Sequence, residues 1–134
     1  MRTKHVMLVV ALTAAGVTGI FGRSSAQAPL FKRTVLQKVD VSVPGREAVQ
    51  AIAEFSPGGA TGRHTHPGEE VSYVLEGTVR LDMDGKPPVT LKAGDAFFVE
   101  AGKIHAATNA GQAPARVLTT YVVQKDKPLT TPAP

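Results

Sequence analysis

The pattern that most narrows what this chain can fold into is alternation with a period of two, cut by glycine and proline at intervals near ten residues. Val35, Gln37, Val39, Val41 and Val43 alternate with Leu36, Lys38, Asp40 and Ser42. Val49, Ala51, Ala53 and Phe55 alternate with Gln50, Ile52 and Glu54. The same rhythm runs through Val71, Tyr73 and Leu75, through Val79, Leu81 and Met83, and through Val117, Thr119, Tyr121 and Val123. Successive side chains of a strand point to opposite faces, so these runs read as half-buried strands. Turn signals separate them: Pro44-Gly45, Pro57-Gly58-Gly59, Pro67-Gly68, Gly77, Asp84-Gly85, Gly94-Asp95, Gly102 and Gly111. Many short strands between regularly spaced turns predict an all-β sandwich or barrel.

The first residues follow a different rule. Arg2, Lys4 and His5 make a positive start, and Val6 to Ile20 is a mainly apolar stretch. Ser24-Ser25-Ala26 and Ala26-Gln27-Ala28 then offer small-x-small cleavage sites. This is the layout of a secretory signal peptide. Pro29 disfavours a cut after Ala28, so the expected cut follows Ala26. The alternative is an uncleaved anchor, but a spanning helix needs about 20 apolar residues. The expectation is therefore a signal peptide over 1–26, an extended segment over 27–34, one barrel domain over 35–124 and a flexible tail over 125–134. The protein would be periplasmic or secreted, with no stable membrane anchor after cleavage.

Removing the leader changes the charge balance. The whole chain carries +4, but Arg2, Lys4 and Arg23 lie in the leader and none of the 11 acidic residues does. The remaining 12 basic and 11 acidic groups leave about +1. With no basic stripe, nucleic acid is not an expected partner. Cysteine is absent, which removes disulfides, thiolate ligands and thiol nucleophiles together.

Only three histidines remain beyond the leader: His64, His66 and His105. Residues i and i+2 of a strand share a face, so His64 and His66 can reach one ion. Glu70 adds a carboxylate just across Pro67-Gly68. Three imidazoles and a carboxylate suit a first-row divalent metal.

The spacing of these residues resembles the cupins, small β-barrels of the double-sheet jelly-roll kind. Gly58, His64, His66, Glu70 and Gly77 fit the first cupin motif without a gap. Gly94, Gly102, His105 and Asn109 fit the second, with Glu100 standing where the family has proline. Sixteen residues, Thr78 to Ala93, separate the motifs. More narrowly, the chain is similar to short exported bacterial single-domain cupins. The resemblance implies one divalent transition metal (Fe, Mn, Cu, Ni or Zn) on His64, His66, Glu70 and His105, a small-molecule substrate or ligand, and a homodimer paired through its sheets. Both Glu69 and Glu70 satisfy the spacing from His66, but only Glu70 leaves six residues before Gly77. Parity then groups Glu70 with Ser72 and Val74. It also groups Asn109 with His105, so Asn109 is expected either to orient that imidazole or to serve as a strand-end turn residue.

Four protein ligands on a six-coordinate ion leave two positions open, the mark of a catalytic rather than a structural metal. The expected function is that of a metal-dependent enzyme, of the dioxygenase-type oxidoreductase class. The alternatives are an isomerase, lyase or decarboxylase using the metal as Lewis acid, and a non-enzymatic metal or ligand-binding module. Helpers are few. Tyr73 and Tyr121 lie within strand alternations and read as packing residues. Arg63 and Arg80 are candidates for an anionic substrate, although Arg63 points away from His64 and Arg80 sits among polar neighbours. One of Phe97 and Phe98 must face inward, into the core or the pocket. Glu100 reads as a solvated loop acid or as a site-edge carboxylate.

Overall fold

The computed structural model describes residues 27–134, so the expected signal peptide lies outside the described residues. Ten strands follow in order: β1 (Phe31–Asp40), β2 (Arg46–Phe55), β3 (His64–Thr65), β4 (Gly68–Glu76), β5 (Thr78–Met83), β6 (Val89–Lys92), β7 (Ala96–Val99), β8 (His105–Asn109), β9 (Ala115–Gln124) and β10 (Thr131–Pro132). They form two antiparallel five-stranded sheets, ordered β1-β2-β9-β4-β7 and β10-β3-β8-β5-β6. No helix occurs among the described residues. The alternation predicted a sandwich or barrel, and this is the double-sheet all-β jelly roll that the cupin resemblance implied.

The inward faces follow the predicted parity. On β2, Val49, Ala51, Ala53 and Phe55 are buried and their alternates are not. On β9, Val117, Thr119, Tyr121 and Val123 are buried. β4 inverts the simple hydrophobic rule. Its buried face carries Gly68, Glu70, Ser72 and Val74, while Val71, Tyr73 and Leu75 face outward. Register explains the inversion, because Gly68 packs directly against β9. A Cβ at Gly68 would come within 2.0 Å of the Val122 carbonyl oxygen, so glycine fixes that face inward. Gly77 works similarly at the far end. Its φ of 75° and a would-be Cβ only 2.4 Å from Pro114 O both require glycine.

Two boundaries differ from expectation. β1 starts at Phe31, four residues before the predicted domain edge at Val35. Phe31 stacks against Phe55 with ring centroids 4.9 Å apart, which anchors this segment. A bulge between Val35 and Gln37 then breaks the register, and the apolar residues beyond it face solvent on an edge strand. At the other end, residues 125–134 are laid against the barrel rather than forming a loose tail. Leu129 packs on the cluster of Val49, Ala51, Tyr121 and Val123. Thr131 and Pro132 pair with Thr65 and His64, and Ala133 N donates to Arg63 O.

Candidate metal centre

The two sheets bring the predicted ligands together from opposite walls. β3 pairs with β8 so that His64 lies directly opposite His105. Glu70 faces them from β4 in the other sheet. β3 ends at Thr65, so His66 sits just past the strand, where Gly102 N donates to its carbonyl at 3.0 Å. All four side chains are buried. His64 Nε2 and His66 Nε2 are 3.1 Å apart. Glu70 Oε2 is 3.1 Å from His66 Nε2 and 3.2 Å from His105 Nε2.

These separations suit one ion. Ligand atoms about 2.1 Å from a metal and at right angles to each other lie about 3 Å apart. One ligand atom from each of His64, His66 and His105 lies within 4.8 Å of the others, so the three imidazoles can hold a metal ion.

Ring orientation is set by the backbone. Nδ1 of His64 faces Gly62 O at 2.9 Å, and Nδ1 of His105 faces Lys103 O at 2.9 Å. Nδ1 of His66 faces Leu129 O. A carbonyl can only accept, so each Nδ1 carries the donated hydrogen and each Nε2 is the atom turned to the centre. Burial lowers the His64 pKa to about 4, with the neighbouring charges of His105, His66 and Arg33 adding to the effect. His64 is therefore a neutral imidazole at neutral pH. Burial alone would raise Glu70, but hydrogen bonds from His105 and His66 win and hold it well below the usual carboxylate range. Ser72 donates to Glu70 Oε1 at 2.8 Å and fixes the other oxygen.

Asn109 does not orient His105. Its Nδ2 donates to Phe55 O and Ala113 O, and its Oδ1 accepts from Gly111 N. It therefore ties the end of β8 to the end of β2 and to the loop that follows, which is the turn role rather than the imidazole-orienting one. Backbone carbonyls hold the rings instead.

The other candidates sort clearly. Arg63 forms a two-pronged pair with Asp84 at 2.9 and 3.0 Å, and Arg80 pairs with Asp82, both exposed and away from the cluster. Glu69 pairs with Arg46 at 3.2 Å. Glu100 is an exposed loop residue 3.5 Å from Lys86 Nζ. Tyr73 faces outward. Phe97 turns inward to the core and the cavity, while Phe98 is exposed.

A small cavity, about 20 Å³ as traced by the centre of a water-sized molecule, adjoins the cluster. His64, Glu70 and His105 line it with Phe97, Thr119, Tyr121 and Arg33. Tyr121 lies with its ring 4.6 Å from that of His66. Burial and the Glu70 charge push its hydroxyl up to about 12. Its strand alternation read as core or surface packing, and nothing in sequence placed it in the cavity wall. Arg33 fell in the predicted extended segment and gave no signal at all.

The cupin domain family matches residues 51–121, more than half of the chain. This chain is a cupin. Germin-like protein subfamily 2 member 1 of Arabidopsis thaliana is 36% identical to it over 73 residues, covering 51% of this chain and 33% of that protein. A recombinant oxalate oxidase in complex with glycolate superposes with a TM-score of 0.64 at 21% identity, covering 80% of this cupin and 57% of that chain. The DMSP lyase DddQ of Ruegeria pomeroyi DSS-3 gives a TM-score of 0.64 at 24% identity, covering 77% and 51%. At these identities the likeness is one of fold. The cupin spans about a third of the length of the germin-like protein it matches.

Proposed function

We propose that this cupin is an exported, metal-dependent enzyme acting on a small molecule, with dioxygenase-type oxidoreductase chemistry. One divalent transition metal would be held by His64, His66, Glu70 and His105. The observation that carries the reading is the convergence of three Nε2 atoms and a carboxylate oxygen, all buried, beside an open cavity. A bound ion with open positions supplies redox or Lewis-acid activation of a coordinated substrate. The chain contributes the rest. Carbonyls hold the rings so that no ring rotation is needed on binding, and the ion would replace the hydrogens that His66 and His105 share with Glu70. Ionised Glu70 offsets the charge of a cation. Phe97, Leu81 and Val117 wall the cavity and limit water.

A second reading is a lyase, isomerase or decarboxylase using the metal as Lewis acid. Tyr121 favours it, because its phenol lines the cavity beside the cluster and stays protonated, a hydrogen-bond donor for a substrate oxygen. Oxygen uptake by the metal-loaded protein, screened against small carbonyl compounds and aromatic diols, separates the two. Turnover that stops under anaerobic conditions supports the oxygenase reading, and turnover indifferent to oxygen supports the second. Tight ligand capture without turnover would place the protein among binding modules instead.

Export rests on the positive start and apolar stretch of the leader. Mass spectrometry of the periplasmic and culture fractions should find a chain beginning at Gln27, and an intact precursor in membranes would count against it. Exposed Val71, Tyr73, Leu75 and Phe98 on one sheet support a homodimer, read by sedimentation.

A further inference from the structure

Among the described residues, Arg33 is the one cation with a buried, unpartnered side-chain nitrogen. Its Nε is the one buried side-chain nitrogen or oxygen without a hydrogen-bond partner among the described residues. The guanidinium makes no ion pair there: Nη1 donates to Thr130 Oγ1 at 2.9 Å, and that is a neutral acceptor. Its central carbon lies 5.5 Å from the Tyr121 ring centroid and 5.6 Å from that of Phe31. These rings hold the flat group in place by cation–π attraction. Arg33 is in register with Ala53, and both line the cavity shared by His64, Glu70 and His105.

A guanidinium offers five N–H donors in a rigid fork. Buried donors are nearly always satisfied, so an unpartnered Nε–H in a cavity wall calls for an acceptor. Glu70 is the only carboxylate lining that cavity, and its oxygens already face His66, His105 and Ser72. The complementary group must therefore enter from outside. A fork of N–H groups matches a carboxylate in shape and charge, and the cavity admits only a compact molecule.

We propose that Arg33 is the anion-recognition residue of this cavity and that the substrate is a small carboxylate, bound by the guanidinium at one end and directed toward the imidazole cluster at the other. This deepens the metal-enzyme reading and rests on it for the second end of the substrate. Thr130 fixes the guanidinium, so the C-terminal segment acts as a positioning element for substrate as well as for His66.

The test compares malonate with malonamide, which has the same skeleton without charge, by calorimetric titration of the full chain. Wild type, Arg33→Gln and Arg33→Lys are each titrated zinc-loaded and chelator-treated, with zinc content measured on the same samples. Wild type is expected to bind malonate at least tenfold more tightly than malonamide. Arg33→Gln should lose that preference while keeping its zinc and its malonamide affinity, and Arg33→Lys should retain part of it. Should Arg33→Gln fold poorly, the graded loss in Arg33→Lys carries the comparison. Equal malonate affinity in wild type and both variants, or no preference for malonate in wild type, would overturn the proposal. Wild type that takes up no zinc would remove the metal reading alone, because the malonate preference is still read in the chelator-treated protein.

Discussion

The interior of this barrel has two ends built from the same strands. Along β4, Val74 belongs to an apolar cluster and Glu70 to the candidate metal centre. Along β9, Val117 belongs to the first and Tyr121 lies beside the second. Along β5 and β8, Leu81 and Ala107 pack in the apolar end, while His105 opens β8 at the polar end. On β4 and β9 four residues, about 13 Å of strand, separate the two environments, and on β8 only two do. The apolar end supplies burial that stabilises the fold. The polar end concentrates three imidazoles and an ionised carboxylate that burial disfavours. The difference teaches that the folding core tolerates the site by being placed next to it on shared, rigid strands.

Breaking the apolar end should have the largest effect on stability and the least on the metal. Leu81→Ala is expected to cost about 2–5 kcal/mol through lost burial and a cavity. Chemical denaturation reads the loss, and the folded fraction should still bind one equivalent of metal. Metal loss in the folded variant would show that the two ends are not separable.

Trimming the polar end from outside should come next. Removing residues 129–134 deletes the Leu129 carbonyl that faces His66 Nδ1 and the β10 pairing with His64. Metal affinity should fall about 10–100-fold, the usual cost of losing an orienting partner of a ligand. Leu129→Ala keeps the carbonyl and should keep most of the affinity, measured by competition with a chelating dye.

Asn109 sharpens the comparison because it lies on the ligand strand yet serves the fold. Asn109→Ala should cost about 1–3 kcal/mol, since Phe55 O, Ala113 O and Gly111 N each lose a partner. Thermal melts read the loss, and metal affinity should be unchanged. A large fall in affinity would restore Asn109 as an orienter of His105.

A further effect is a pH slope in chelator-treated protein. His64 titrates near 6.5 when unfolded but near 4 when folded. The unfolded state therefore binds more protons across that window, and stability falls as pH drops from 6.5 toward 4. Glu70, depressed by His105 and His66, adds a further loss below its unfolded value of 4.5. The stability of His64→Gln should be flatter between pH 6.5 and 4, and an equal slope in both proteins would contradict the assignment.

Much of this was legible in the sequence because side-chain parity and glycine spacing constrain it directly. The alternation on β2, β5 and β9 marked an all-β sandwich or barrel, and the motif spacing of His64, His66, Glu70 and His105 marked both the double-sheet form and the cluster. What stayed hidden was carried by groups without a side-chain signature. The carbonyls of Gly62, Lys103 and Leu129 orient the rings, and no residue type announces a carbonyl. The early start of β1 depends on a bulge near Leu36 and on Phe31 meeting Phe55, both long-range effects. Arg33 became visible only once that strand closed over the cavity. The C-terminal residues read as loose because proline and threonine dominate them, yet Leu129 finds an apolar cluster assembled from β2 and β9.

The central claim is that four side chains converge to hold one metal, and elemental analysis tests it most directly. The protein would be purified without chelator from the compartment where it accumulates, beside His66→Ala. The account predicts about one iron, manganese, copper, nickel or zinc ion per wild-type chain and almost none in the folded variant. Equal metal in both proteins, or none in wild type even after loading with each of these ions, would contradict it.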